Sequence, residues 1–187
     1  CSEVKRLSVE MKIGKDSYAA GTFWVATDSD KIGKITAKTG VNFISLNKAP
    51  SVKTQRIKPF KLGIYKSWVA NMDEGWSRWV LREHAFDLDT LQDADIRNGN
   101  LEKYAAILIP SQRPERIMHG HDVSRMPKEY TGGIGLDGTK KLEEYVKSGG
   151  TLITFDRASD FAIDQFGLPI VNVTKNLSNE QFFIPGS

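Results

Sequence analysis

Three short runs without charge, LGIY (62–65), AAILIP (105–110) and TLITF (151–155), predict an α/β protein built on an open, mostly parallel sheet. Each precedes a loop and a segment with helical patterning, and strands alternating with helices at this spacing imply a sheet covered on both faces. Composition agrees. The 187 residues are 40% hydrophobic and 26% charged, too apolar for disorder and without a single-sign charge excess. A soluble globular chain is expected, of one domain with room for a small appendage. The longest apolar run, Ala105–Ile109, is far below the roughly 18 residues of a membrane span, so no transmembrane segment is expected. No basic and apolar leader is visible. The single Cys, Cys1, leaves no internal disulfide and no Cys-based zinc site.

Thr22–Ala26 (TFWVA) is apolar and β-prone. Asp28, Ser29 and Asp30 then offer helix caps before DKIGKITAKTG, which Gly40 closes, and Val41–Leu46 (VNFISL) reads as a further strand. Asn47–Pro59, rich in Lys, Ser and Thr, reads as a linker or exposed connection. Residues 1–60 are thus expected to form a βαβ-like extension and linker that packs on or completes the main sheet, and residues 61–187 the main α/β domain. In DEGWSRWVLREHAF (73–86), Trp76, Trp79 and Val80 fall at i, i+3 and i+4, which predicts a helix with that face in the core, and Asp73 and Glu74 suit its positive N-terminus. Strands follow at Asp87–Leu91 and Ala105–Pro110. Ser111 to Gly135 has no clear period, and loops of such length are usually functional or mobile. A helix at Asp137–Ser148 ends at Gly149-Gly150, and after TLITF the segment ASDFAIDQFG forms a helix ending at Gly167.

Net charge is +3, yet residues 1–61 carry +7 and residues 62–187 carry −4. The basic residues of the lead are scattered singly and lack interleaved aromatics, so a solvated face, and no nucleic-acid partner, is expected.

Ligands of open α/β sheets bind beyond the carboxyl ends of the strands, which directs attention to 66–74, 110–135 and 156–160. KSWVANMDEGW (66–76) places Trp68, Asn71, Asp73 and Glu74 there, aromatic and polar groups suited to a ligand or partner surface. For Trp68 and Asn71, binding and structural roles stand side by side. His119-Gly-His121 is a pair of imidazoles without a third ligand, so no metal is expected in this chain. TGGIGLDG (131–138) lacks the Walker lysine and follows no strand, so its glycines read as turn residues. The strand-to-helix turn after TLITF has the form of a nucleophile elbow. Asp156 and Ser159 lie in it. A nucleophilic Asp156 needs a general base, and no His follows; an Asp at a helix start reads as a cap.

This turn resembles that of class I glutamine amidotransferases, roughly V-L-G-I-C-L-G-H-Q followed by a helix. Laid against LITFDRASDFAIDQFG, the catalytic Cys falls on Asp156 and its flanking glycines on Thr154 and Ala158. Those enzymes carry an I-L-P-G-G strand end; ILIPSQ puts Ser111 and Gln112 in place of the glycines. Their His-Glu pair lies after the elbow, whereas His84, His119 and His121 all precede it. The resemblance therefore implies the fold, a flavodoxin-like three-layer sandwich, without the activity.

KSWVANMDEGWSRWVL, DADIRNGNL, ILIPSQ, the HGH segment, MPKEYTGGIG, SGGTLITFDRAS and FFIPGS, in this order, closely resemble the amidotransferase-like domain appended to a group of bacterial zinc carboxypeptidase-family proteins. AAGTFWV (19–25) resembles the segment preceding that domain. The resemblance implies a parent protein, exported to the periplasm or secreted, with a zinc metallocarboxypeptidase domain upstream. The family's H-x-x-E is missing here, since Asp87, Asp122 and Ser124 stand three residues after the histidines. Zinc is thus expected in the parent's peptidase domain, which would be this chain's partner, and FFIPGS reads as the end of a fragment. Cys1-Ser2 also resembles the start of a mature lipoprotein. The function implied is a non-catalytic accessory domain that positions substrate for proteolysis; a peptide- or ligand-binding module acting independently is the alternative.

Overall fold

The structure is a computed structural model that describes residues 3–178 and 180–183. Cys1-Ser2 and the IPGS of FFIPGS lie outside the described residues. The chain divides into two compact units, Cys1–Pro59 and Phe60–Ser187.

In the first unit, β1 (Glu3–Leu7) is the centre of an antiparallel sheet, with β4 (Phe23–Ala26) on one side and β5 (Thr54–Ile57) on the other. A separate hairpin joins β2 (Met11–Ile13) to β3 (Asp16–Tyr18). Helix α1 (Ser29–Thr39) starts where the Asp28 carboxylate accepts the Lys31 amide at 2.9 Å and stops at the left-handed Gly40. The expected strand at Val41–Leu46 carries no regular structure, and β5 lies inside the expected linker. The unit is therefore antiparallel, and not βαβ-like. β1 and β5 are short and charged, held by cross-strand partners such as Arg6 with Gln55 and Glu3 with Arg56, so neither has an apolar run to announce it.

The second unit contains β6 (Lys61–Tyr65), α2 (Met72–Glu83), β7 (Asp87–Leu91), α3 (Asp93–Asn98), β8 (Ala106–Ile109), α4 (Pro114–His119), α5 (Gly135–Lys147), β9 (Thr151–Thr154) and α6 (Ala158–Phe166). A single 3₁₀ turn, Lys128–Tyr130, precedes α5. The strands form one all-parallel sheet in the order β7-β6-β8-β9. All four strands come from this unit.

The register sets which side chains share a face. Gly63, Ile107 and Leu152 are aligned, as are Leu108 and Ile153. Tyr65, Ile107 and Ile109, with Leu152 against them, meet Ile96, Ile117, Leu142, Tyr145 and Phe161 from the helices α3 to α6 in one core. Gly63 lies in this sheet because Leu91 and Ile107 fill the space that a side chain would need. Helix α2 packs on β6 and β7 and contributes nothing to that core.

The α2 face predicted to be internal is external. Trp76, Trp79 and Val80 are 61%, 54% and 44% exposed, with the two indoles edge to face at 5.8 Å. The inward stripe is instead Glu74, Ser77, Arg78 and Leu81, where the buried Glu74 carboxylate accepts from Arg78 Nε at 2.6 Å. Both stripes have helical spacing, and hydrophobicity alone points to the apolar one as inward. The buried one is satisfied by an ion pair, which lets a charged residue lie inside.

Two six-residue helices, α3 and α4, are too short to show a period in the sequence. Gly133, in the middle of TGGIG, has a packing reason. Gly133 is left-handed, and a Cβ there would lie 2.5 Å from the Ile117 carbonyl oxygen of α4, while the Arg97 guanidinium of α3 donates to the Gly133 carbonyl. The segment is thereby tied to two helices.

Candidate functional site

The parallel register brings residues from four strands to one edge. Tyr65 pairs with Leu91 and Ile109 with Thr154. Two residues beyond those rows stand Ser67, Asp93, Ser111 and Asp156, each just past the carboxyl end of its strand. This is the edge at which ligands of open α/β sheets bind.

Asp156 is its most constrained member. Its φ is +45°, and with Ala85 it is one of two residues other than glycine in the left-handed region among those described. Tight backbone bonds close the turn around it, Ala158 N–H to Phe155 C=O at 3.0 Å and Ser159 N–H to Asp156 C=O at 2.9 Å. The turn runs from strand to helix, the geometry that holds a nucleophile above a sheet. The capping role expected for Asp156 is not met. The N-cap of α6 is Arg157, with no side-chain cap, and the Asp156 carboxylate instead accepts the Ser111 hydroxyl at 2.7 Å. Left-handed backbone carries the Asp156 side chain over the sheet edge toward β8, where Ser111 meets it.

A chain of contacts continues from there. Asn71 Nδ2 donates to the Ser111 carbonyl at 2.9 Å, while its Oδ1 accepts the amides of Asp73 and Glu74 at the start of α2. Asn71 is thus both the N-cap of α2 and the tie between that helix and β8. Ser159 sits beside the elbow, donating to the Thr154 carbonyl at 3.3 Å.

A second group adjoins residues 66–71. His121 Nε2 lies 3.1 Å from the Trp68 carbonyl, and the Trp68 ring meets Tyr130 edge to face at 4.7 Å. His119 is exposed at the end of α4, and His121 is partly buried against Trp68, so the two imidazoles have different surroundings. Among the described residues no three His, Cys, Asp or Glu side chains gather as a metal set. Asp73 is partly exposed in the first turn of α2, and Glu74 is committed to Arg78. Gln112, buried, has no hydrogen-bond partner for Nε2 among the described residues.

Asp93 and Tyr65 were not singled out from the sequence. Asp93 is 1% exposed and accepts the Tyr65 hydroxyl at 2.6 Å, leaving Oδ2 unpartnered. Burial pushes its carboxyl above the ordinary 3.8, against the opposing pull of the Tyr65 hydrogen bond, Arg97 and His121. Burial, then the Asp93 charge, raises the Tyr65 phenol. The clue in the sequence was an acidic residue two positions beyond an apolar strand end, the same offset as Ser111 and Asp156.

No protein-family model, curated protein or solved structure matches the chain.

Two predictions follow from these geometries. Because the folded state binds the Asp93 proton more tightly than the unfolded chain, the stabilisation it gives is full below 3.8 and lost as pH rises through the raised folded value. Asp93→Asn keeps an acceptor for Tyr65 and removes the titration. Its unfolding free energy relative to the parent should therefore climb as pH is raised from about 4 to 7, and a difference independent of pH would contradict the assignment. At the elbow, Asp156→Gly and Asp156→Ala lose the same hydrogen bond, but only Ala must hold a Cβ at positive φ. The Gly variant should be the more stable by about 1 kcal/mol in denaturant unfolding, whereas equal stabilities would mean the turn relaxes.

Proposed function

We propose that this chain is a non-catalytic, flavodoxin-like domain of the class I glutamine amidotransferase type, which binds and positions substrate for a zinc metallocarboxypeptidase domain of the same parent protein. The observation that carries this reading is the elbow. Its strained backbone is kept, while its side chain is a carboxylate engaged by a serine hydroxyl. A carboxylate nucleophile needs a base to activate the water that releases its covalent intermediate, and no histidine follows the elbow to supply one; the group that meets Asp156 is the Ser111 hydroxyl, a hydrogen-bond donor to it. The strand order supports the fold part of the reading, since β7-β6-β8-β9 matches the first four strands of the 2-1-3-4-5 order of flavodoxin-like sheets.

The accessory role rests on the ordered motifs from KSWVANMDEGW to SGGTLITFDRAS. On this reading zinc resides in the peptidase domain, the protein acts in the periplasm or outside the cell, and this chain supplies a polar rim for a peptide. Ser111, Asp156 and the Trp68–Tyr130 pair form that rim: a hydroxyl, a fixed negative charge for an ammonium group, and apolar ring surface for a side chain.

The isolated chain should neither hydrolyse glutamine nor release C-terminal residues from peptides. It should bind short peptides carrying a free amine, such as peptidoglycan stem peptides, with NMR shift changes confined to Trp68, Asn71, Ser111 and their neighbours. Ser111→Ala and Asp156→Asn should each weaken that binding about tenfold. Glutaminase activity abolished by Asp156→Ala would overturn the non-catalytic assignment. A flat response across a peptide panel would overturn the positioning role.

A further inference from the structure

Between α4 and α5 the chain forms a loop whose hydrogen-bond and ring contacts with the rest of its unit converge on one residue. Residues 122–129 are exposed throughout, while His121 and Tyr130 at the two ends are half-buried. The base is closed by bridges from Gly120 and His121 to Thr131, with left-handed glycines, Gly120 and Gly132, on either side. Among the described residues, the hydrogen bonds of 122–129 stay inside the loop and its base. Asp122 takes the amides of Ser124, Arg125 and Met126, and the Lys128 carbonyl takes Thr131. The ties to the body come from His121 and Tyr130, and both meet Trp68, the first at its carbonyl and the second at its ring. A segment closed on itself and fastened at one point has the build of a lid.

That fastening responds to protons. A carbonyl oxygen only accepts, so His121 Nε2 carries a hydrogen in either charge state, and titration adds the second at Nδ1. The charged ring makes the stronger bond to the Trp68 carbonyl. It is also attracted to Asp93, which is buried with Oδ2 unpartnered and on whose carboxyl His121 acts electrostatically. The other groups that face Asp93 keep their charge state where an imidazole titrates. The Tyr65 phenol of β6 is raised by burial, and the Arg97 guanidinium of α3 donates to the Gly133 carbonyl. The buried face of α5, Gly138, Thr139, Leu142 and Tyr145, brings no charge, and Asp89 of β7 is held by Lys61. Asp122, beside His121, is committed to the Ser124 amide, which lowers its carboxyl.

We infer that the 121–130 loop is a proton-operated lid beside the candidate site, latched to Trp68 by His121 and held most firmly while His121 is charged and Asp93 is ionised. Burial raises the Asp93 carboxyl, so it gives up its charge early as pH falls, and the latch weakens again below that point. The lid's bearing on peptide binding rests on the place proposed for Trp68 in the rim, whereas the latch itself is read without a ligand.

The test is an NMR titration of the 187-residue chain with labelled tyrosine and histidine. The shift that the Trp68 indole imposes on the Tyr130 ring reports closure, and the His121 ring reports its own charge. As pH falls from about 8 to about 5, the Tyr130 signals should move away from free-tyrosine values in step with the His121 ring. The ratio of latched to open chains should rise about fivefold, and the movement should reverse as Asp93 takes its proton. His121→Gln keeps a donor for the Trp68 carbonyl without titrating and should hold the Tyr130 signals at one position. Asp93→Asn should abolish the reversal and reduce the movement. A Tyr130 ring that ignores pH in the parent chain would overturn the latch even if a variant fails to fold, as would an unchanged titration in folded His121→Gln or Asp93→Asn. A peptide panel without a binder would instead overturn the rim and leave the latch standing.

Discussion

The candidate site depends on parallel register. Because Ile109 is level with Thr154, and Tyr65 with Leu91, residues far apart in sequence reach the same sheet edge after the same number of steps. Ser111 meets Asp156 because each lies two residues beyond an aligned pair. A slip of one residue in β9 would turn the Leu152 side chain away from the core and part the hydroxyl from the carboxylate in the same motion. The core that fixes the strands therefore also fixes the site.

Asn71 extends that constraint to α2. Its amide nitrogen holds the Ser111 carbonyl while its oxygen caps the helix, so the position at which α2 begins is tied to β8. The helix then points Glu74 inward to Arg78 and carries Trp76 and Trp79 outward. Two opposite burial patterns thus occur in one unit: an apolar core beneath α3 to α6, and a helix on β6 and β7 that is tied to β8 by its Asn71 cap and whose buried acid is paired within the helix by Arg78.

The legible parts of the fold were those in which local chemistry and tertiary environment agree. β6 and β8 are apolar runs because the middle strands of a parallel sheet are buried on both faces, and Gly40 and Gly167 close helices in the left-handed conformation that glycine adopts without penalty. The failures lie where a distant partner overrides the local signal. β1 and β5 are stabilised by cross-strand contacts nearly 50 residues apart in sequence, as from Arg6 to Gln55. The amphipathic reading of Trp76, Trp79 and Val80 assumed that apolar means inward, which an inward ion pair on the adjacent stripe reversed. Asp156 was recognisable as an elbow residue, yet its partner was hidden, because only the fold brings Ser111 to it across 45 positions. Asp93 was legible in neither way, being a single acid at a strand end until Tyr65 reached it.

The elbow thus reads as a strained turn whose carboxylate is fastened to the neighbouring strand and available to a ligand, in a place where related geometries hold a nucleophile. A double-mutant cycle between Ser111→Ala and Asp156→Gly, measured by equilibrium unfolding, addresses that link directly. The account predicts that the two losses overlap, with a coupling of about 0.5–1.5 kcal/mol. Effects that add to within about 0.3 kcal/mol would show that the hydroxyl and carboxylate act independently, and would contradict it.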